Sequence, residues 1–332
     1  MITYDLALRH GVIRSLTGLD ASDFASLFAD FEAAHVLRRR EAHPHRQRAV
    51  GAGRPASCSL QTQLLMTLLW LRVYPTFALL GFFFGLAESS AWRTVQEVLL
   101  TLEGLSQFAF EKPAKERRAL RTVAAVMDAF PDVALVIDAK EQRIRRPTSD
   151  KDNNVQKPYY SGKKKAHTLK SQIAVRPDGT IGALSQSVPG GANHDLTLLR
   201  ESKLLDNLVE GEASMMDKGY DGIAKDYPQK ILYLPHKARR NHPLTDAQKA
   251  YNAHLSSYRI VVEHTNAQLN QYQALSQVWR NQRERHTRVV RVVGGLVNRR
   301  LAKVPLRTYP AAQTVTAMAT LMASAGGTAS SA

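Results

Sequence analysis

The sequence feature that most constrains the fold is an apolar run that ends in an acid, "ALVIDAKEQ", at residues 134–142. Ala134–Ile137 is uninterrupted by polar residues and contains β-branched side chains, which is typical of a central strand buried on both faces. Asp138 follows directly, and burying a carboxylate costs free energy unless another group pairs with it. The sequence therefore predicts a core strand that carries a charged side chain needing a partner.

The segments that follow this strand predict a mixed sheet. "AHTLKSQIAV" and "IGALSQSV" read as two further strands, joined by a turn in which Pro177 presets one backbone angle and Gly179 accepts a positive φ. "HDLTLLRES" predicts a helix, and "ASMMDKGY" and "ILYLP" predict a fourth and a fifth strand. Thr245 and Gln248 form a capping box that opens a helix, and a long helix is expected from about Ser257. Three antiparallel strands, a helix and two more strands form the α/β, ribonuclease H-like order, a five-stranded mixed sheet with flanking helices.

The chain before this sheet predicts an all-α region with a helix-turn-helix. Leu60–Val73 has the apolar density of a buried helix, Thr76 caps a short second helix, and Gly85 permits the turn into a third helix. The third helix has an apolar stripe at helical spacing, and polar residues lie near its outer face. The stripe is Ala91, Val95, Val98 and Leu102, and the outer residues are Ser89, Ser90, Arg93 and Gln96. This plan is typical of a helix-turn-helix, and an ordinary helical bundle is the alternative.

We expect four regions along the chain. They are an N-terminal helical segment with a basic linker at 1–58, a helix-turn-helix domain at 59–130, a catalytic domain at 131–306 and a partly disordered tail at 307–332.

The net charge of +16 points to a polyanionic partner, with nucleic acid as the first candidate and a membrane surface as the weaker one. A single cysteine, Cys58, excludes an internal disulfide framework, and a reducing cytoplasm fits the sequence. The apolar segment Leu64–Ala87 contains Arg72 and Pro75, so two packed helices explain it better than a membrane span. We therefore expect a DNA-associated protein with no membrane partner.

Three acids occur in order on elements that can bring them together. Asp138 ends the first strand, Asp217 follows the apolar pair Met215 and Met216, and Glu263 lies on the long helix. If the first and fourth strands are neighbours, both aspartates emerge at the same end of the sheet. Like charges disfavour each other's ionisation, so such a site calls for cations, and oxygen ligands suit Mg²⁺ or Mn²⁺. Taken singly, a strand-end aspartate is more often a turn residue, and Glu263 could pair with Arg259.

Together these features resemble the DDE transposases of bacterial insertion sequences, in the branch related to the Harbinger-like transposases of eukaryotes. The resemblance covers about residues 62–301 and rests on "VIDAKE", "YYSGKKKAHTLK", "GGANHDLTLL", "DKGYDG" and "YRIVVEHTNAQLN". "DKGY" fits the family's block around its second catalytic aspartate, and Arg259 with Glu263 fits its Arg-x-x-x-Glu block. The sequence departs from the family at Ser256, where a tyrosine is expected, and at Asn270, where a lysine is expected.

The resemblance implies a metal-dependent DNA endonuclease and strand transferase with Asp138, Asp217 and Glu263 as catalytic residues and ligands of two Mg²⁺ ions, or Mn²⁺ in vitro. Asp195 is a further candidate metal ligand, although an aspartate at a helix start also caps free amides. The expected DNA-binding residues are Ser89, Ser90, Arg93, Lys163, Lys164, Lys165, Lys170 and Arg259. The expected partners are the terminal inverted repeats of an insertion sequence and target DNA, bound by a homodimer. The alternatives are a ribonuclease H-like endonuclease without strand transfer and an inactive DNA-binding repressor.

Overall fold

A computed structural model describes residues 1–42, 57–106, 108, 132–148, 155–240 and 242–303. The chain divides into two compact units. One, here called the helical unit, comprises Met1–Gln107 and Gln268–Arg300. The other, the sheet unit, comprises Phe108–Ala267 with Leu301–Ala332. Most of the basic linker and the whole 307–332 tail lie outside the described residues, and the functional domain boundaries stay a prediction.

The helical unit begins with α1 (Tyr4–Arg9), α2 (Ile13–Thr17) and α3 (Ala21–Glu41). It continues with α4 (Leu60–Val73), α5 (Phe77–Phe84) and α6 (Glu88–Leu105). The predicted start and stop signals act as expected: the Thr76 hydroxyl accepts a hydrogen bond from the Leu79 amide at 3.3 Å, and Gly85 ends α5 with a φ of 65°. The described helices include none that is both long enough and apolar enough to cross a membrane.

The third helix of the predicted helix-turn-helix buries the expected stripe. Ala91, Val95, Val98 and Leu102 are all buried. Gln96 was expected near the outer face, and this was wrong. Its side chain is buried, and its Oε1 accepts a short hydrogen bond from the guanidinium of Arg285.

Residues 268–300 complete the core of the helical unit from the far end of the chain. They contain the short helix α9 (Gln273–Ser276) and most of α10 (His286–Lys303). Trp279 is buried and stacks on Tyr74, with ring centroids 6.1 Å apart. On the same segment, Arg288 and Arg291 pair with Glu103 of α6 at 2.8 and 3.4 Å. The helical unit is thus built from two stretches that are distant in sequence.

The described residues of the sheet unit form seven strands in one mixed sheet. They are β1 (Val133–Arg143), β2 (Tyr160–Ser161), β3 (Ala166–Val175), β4 (Ile181–Leu184), β5 (Val188–Pro189), β6 (Ala213–Met215) and β7 (Ile231–Tyr233). The long strand β3 is antiparallel to β1 on one side and to β2, β4 and β5 on the other. Strands β6 and β7 continue the sheet beyond β1 in parallel. The predicted ribonuclease H-like arrangement is confirmed, with the predicted third strand divided into β4 and β5.

Two helices flank the sheet in the described residues, α7 (Asp195–Ser202) and α8 (Asp246–Asn270). The capping box at the start of α8 is present, because Thr245 and Gln248 exchange hydrogen bonds of 3.1 and 3.2 Å. We expected one helix from this box and a separate one from about Ser257, and this was wrong. Between the box and Ser257 the sequence contains neither glycine nor proline, so nothing ends the first helix and one helix runs through.

The packing of Trp279 gives a test of this two-part helical unit. Replacing Trp279 with Ala should lower the free energy of unfolding by about 3–5 kcal/mol, because it empties a large buried site against Tyr74. Val278 is the matched control, since it is the preceding residue and is 42% exposed. Val278→Ala should change stability by no more than about 0.5 kcal/mol. Chemical denaturation of the full chain measures both, and equal effects would contradict the packing described here.

Candidate active site

The parallel pairing of β1 with β6 brings Asp138 and Asp217 together. Val136 lies opposite Met215 in the register of the two strands. Each aspartate follows its strand partner by two residues, so both emerge at the same edge of the sheet with matched positions. Asp217 follows the end of β6, but the expectation that Asp138 ends its strand was wrong: β1 continues to Arg143, and Asp138 lies opposite Ile173 of β3. The predicted convergence of these two acids is therefore present in the structure.

A guanidinium from α8 lies between the two carboxylates. Nη2 of Arg259 is 3.8 Å from Oδ1 of Asp138, and Nη1 of the same side chain is 3.4 Å from Oδ1 of Asp217. The Arg259 side chain is only 14% exposed. Its Nε atom is buried and has no hydrogen-bond partner among the described residues. Arg259 thus contributes a positive charge to the site, although not all of its N–H groups have a hydrogen-bond partner among the described residues.

Burial governs the electrostatics of Asp138. Desolvation raises the pKa of this carboxyl above its ordinary value, and the neighbouring Arg259 acts in the opposite direction. The charges of Asp217 and Asp195 raise the pKa further. The neighbouring acids therefore disfavour the ionisation of Asp138, and added positive charge would favour it.

The same face of α8 also carries Asn266 and Glu263. Nδ2 of Asn266 lies 3.4 Å from Oδ2 of Asp138. Glu263 is exposed, four residues after Arg259 and three before Asn266, so helical spacing places all three side chains on one face. Among the described residues, no group of three or more acid, histidine or cysteine side chains lies close enough together to hold a metal ion. The structure therefore brings Asp138 and Asp217 together, and it places Glu263 nearby without completing a three-acid cluster.

The donor atoms at this edge of the sheet suit a divalent cation. Asp138 and Asp217 offer hard carboxylate oxygens, which Mg²⁺ and Mn²⁺ prefer. Beside Asp138, the side-chain oxygen of Asn266 is buried and has no hydrogen-bond partner in the described part of the chain. A buried amide oxygen that has no hydrogen-bond partner among the described residues and lies next to a carboxylate fits the ligand set of a divalent metal ion.

Asp195 is held by an ion-pair network instead of capping a helix. His194, not Asp195, is the N-cap of α7, and it makes no side-chain cap hydrogen bond. Oδ1 of Asp195 lies 2.9 Å from Nζ of Lys170, which also approaches Glu141 at 3.5 Å and donates to the Asn193 carbonyl at 2.8 Å. The expectation that Asp195 caps its own helix was wrong, because its carboxylate forms an ion pair with Lys170 instead.

Lys170 was expected to contact DNA, but it is only 6% exposed. Its ammonium group donates to the Asn193 carbonyl and pairs with the Glu141 and Asp195 carboxylates, so its charge is already balanced inside the protein. Lys163, Lys164 and Lys165 differ from it, since all three are exposed in the turn between β2 and β3. Among the candidate lysines, these three can reach DNA.

Several residues around the site were not found from the sequence. Glu141 faces Lys170 directly across the antiparallel β1–β3 pair, which the strand alternation would reveal once the register is known. The Gln172 side chain donates to the Asp195 carbonyl at 2.8 Å and lies 3.3 Å from the Tyr220 hydroxyl, joining α7 to the turn after Asp217. Nothing in a single sequence pairs residues so far apart.

The outer face of α6 offers polar and basic side chains. Ser89 and Arg93 are exposed and Ser90 is half-buried, and Arg93 donates to the Ser89 carbonyl at 3.2 Å. A cavity of about 400 Å³ adjoins this face within the helical unit. Its lining includes His35, Arg38, Arg39, Arg93 and Glu97. Arg38 and Arg39 of α3 therefore line the same cavity as Arg93 of α6, and Arg38 pairs there with Glu97.

Comparison with known proteins agrees with this architecture. A family model described as DDE superfamily endonuclease matches residues 137–298, and a model described as the helix-turn-helix of DDE superfamily endonuclease matches residues 58–106. The chain is 31% identical over 250 residues to a probable transposase for insertion sequence element IS702 of Microchaete diplosiphon, covering 75% of this chain and 84% of that protein.

Similarity to solved structures is weak by comparison. The Mos1 transposase paired-end complex with left transposon end is 9% identical, covers 74% of this chain and 78% of that chain, and gives a TM-score of 0.18. A pre-cleavage Mos1 transpososome is 8% identical, covers 78% and 82%, and gives a TM-score of 0.20. By the family models and this relative, the chain belongs to the DDE superfamily endonucleases, as a transposase with the family's helix-turn-helix at residues 58–106.

Proposed function

We propose that this protein binds the ends of an insertion sequence, cleaves them by phosphodiester hydrolysis and joins the freed 3′-hydroxyl ends to target DNA. The observation that carries the proposal is the pair of carboxylates at matched positions on β1 and β6, with Arg259 between them. Membership of a transposase family supports the same activity.

Asp138, Asp217 and Glu263 are the residues that we assign to catalysis, and Asp195 is a further candidate for the metal site. Asp138 and Asp217 would hold the divalent ion first, with Mg²⁺ as the natural ion and Mn²⁺ as its substitute in vitro. Bound there as a pair, such ions would neutralise charge on phosphate oxygens and make water a better nucleophile. Glu263 would become a further ligand from α8. Its side chain is exposed, so it can change rotamer without disturbing the core.

Binding of double-stranded DNA would use the helical unit and the exposed lysines. Ser89, Ser90 and Arg93 lead α6, the helix that in a helix-turn-helix enters the major groove. The turn that carries Lys163, Lys164 and Lys165 would contact phosphates, which contribute affinity without sequence specificity. Cutting both ends of an element together calls for two copies of the chain, so we propose a homodimer on DNA in the bacterial cytoplasm.

The most direct test uses the DNA that flanks the protein's own gene. The purified chain is incubated with this DNA and Mn²⁺, and the positions of all breaks are mapped. Breaks at the two boundaries of the element support the proposal. Breaks scattered through the DNA favour an endonuclease without element specificity, and binding with no breaks favours an inactive repressor.

The carboxylates give the first activity prediction. Asp138→Asn and Asp217→Asn should each abolish cleavage, because the amide keeps the shape of the side chain but loses the charge that the site needs. Asp221→Asn is the matched control, since Asp221 lies four residues after Asp217 and its side chain is 64% exposed beside Lys237. A gel-based cleavage assay compares the three variants. Wild-type cleavage by either site variant would remove that residue from the catalytic set.

The helix-turn-helix gives a binding prediction. Arg93→Ala should weaken binding to the element ends by about tenfold, in line with the loss of a base or phosphate contact of about 1–3 kcal/mol. Arg9→Ala is the control, because Arg9 is an exposed arginine of the same unit outside α6. Fluorescence anisotropy measures affinity, and thermal melting checks that stability is unchanged. If both substitutions weaken DNA binding equally, the loss of affinity reflects the overall positive charge of the protein and not a specific contact of Arg93.

Joining activity separates a transposase from a nuclease of the same fold. When the chain is given pre-cut element ends with free 3′-hydroxyls, a target plasmid and Mn²⁺, it should produce covalently joined molecules. Sequencing the junctions identifies them. If the ends are cut in the flanking-DNA experiment and pre-cut ends are never joined, the endonuclease alternative replaces the transposase assignment.

A further inference from the structure

The guanidinium of Arg259 is less fully bonded than a purely structural role predicts. Elsewhere in the sheet unit, Arg200 approaches Asp226 at 2.8 Å, and Arg176, which is as buried as Arg259, donates from its Nε to the Thr180 hydroxyl at 2.6 Å. Arg259 is far more buried than Arg200, yet it approaches its two acids only at 3.8 and 3.4 Å. Its buried Nε also lacks a hydrogen-bond partner among the described residues. A buried guanidinium that stabilised the fold would be expected to make short, bidentate contacts.

The location of Arg259 matches the place where positive charge is needed. It approaches Asp138 with one terminal nitrogen and Asp217 with the other, and these are the two carboxylates proposed to hold metal. Arginine stays protonated at all relevant pH values. The chain therefore already carries one permanent cation between the two acids.

Space is available for this side chain to move. A cavity of about 310 Å³ within the sheet unit is lined in part by Asp217, Lys218, Pro235, Ser256 and Arg259. Arg259 thus borders both the pair of acids and an open volume beside it. The cavity, which Asp217 also lines, therefore offers room for the guanidinium if it leaves its position between the two carboxylates.

We propose that Arg259 is an internal counter-cation that competes with the divalent ions for Asp138 and Asp217. In the metal-free protein it offsets the repulsion between the two carboxylates. When the ions bind, the guanidinium is repelled and withdraws into the adjoining cavity, where it is free to meet a DNA phosphate. The inference rests on the proposed metal site, and it assigns to Arg259 a control of metal loading in addition to contact with DNA.

Direct measurement of Mn²⁺ binding by the full chain without DNA tests this competition. Arg259→Met keeps the length of the side chain but removes its charge, so it should raise the affinity for Mn²⁺ by about tenfold or more. Arg259→Lys keeps a charge and should stay closer to the wild type. Arg200→Met is the matched control, because its pair with Asp226 is exposed, and it should leave affinity unchanged. Titration calorimetry measures all four proteins.

A second measurement needs no substitution of Arg259 and remains informative if Arg259→Met does not fold. Phenylglyoxal modifies accessible guanidiniums, and mass spectrometry reports its rate at each arginine. Mn²⁺ should accelerate modification of Arg259 in the wild-type chain and leave Arg200 unaffected. An unchanged or slower rate at Arg259 would overturn the inference.

Asp138→Asn separates the failure of this inference from the failure of the proposed metal site. If Asp138→Asn abolishes Mn²⁺ binding while Arg259→Met leaves it unchanged or weakens it, the metal site stands and the competition is wrong. If Asp138→Asn leaves Mn²⁺ binding at the wild-type level, or if neither the wild type nor Arg259→Met binds Mn²⁺, the metal site itself is wrong and the inference falls with it.

Discussion

The repulsion between two carboxylates at matched positions of the neighbouring strands β1 and β6 is the constraint on which the site depends. Parallel pairing of β1 and β6 sets Asp138 and Asp217 side by side, and the apolar residues before them leave little freedom to relax. Bringing like charges together in a partly buried place requires opposite charge from elsewhere. Helix α8 provides it through Arg259, and the amide of Asn266 adds a polar contact. The position of α8 on the sheet is therefore an electrostatic requirement as well as a packing one.

Local signals in the sequence predict local structure well in this chain. The apolar run before Asp138, the Thr245–Gln248 capping box and the Gly179 turn, with a φ of 85°, all act as expected because each depends on neighbouring residues. The boundaries of α8 were harder to predict. We expected a separate helix from about Ser257, but without a glycine or a proline before it the helix that opens at Thr245 had no physical reason to stop.

Long-range partnerships were the part that sequence could not provide. Lys170 looks like any basic residue near a lysine-rich turn, and only the register of β1 with β3 reveals that Glu141 faces it. Gln96 occupies a polar position on a helix, and only the return of residues 268–300 buries it. In both cases a polar residue is buried because its hydrogen-bonding partner arrives from far along the chain. A hydrophobicity pattern alone predicts that such residues are exposed.

The two-part construction of the helical unit has a consequence for protein synthesis. The ribosome makes residues 1–107 first, but the segment containing Trp279 and the partners of Glu103 emerges only after residues 108–267 of the sheet unit have been translated. During that interval the helix-turn-helix lacks part of its core, including the ring that stacks on Tyr74. A chain released early by the ribosome therefore has an incomplete helical unit. Completion of the helical unit thus depends on synthesis of the chain through residue 300.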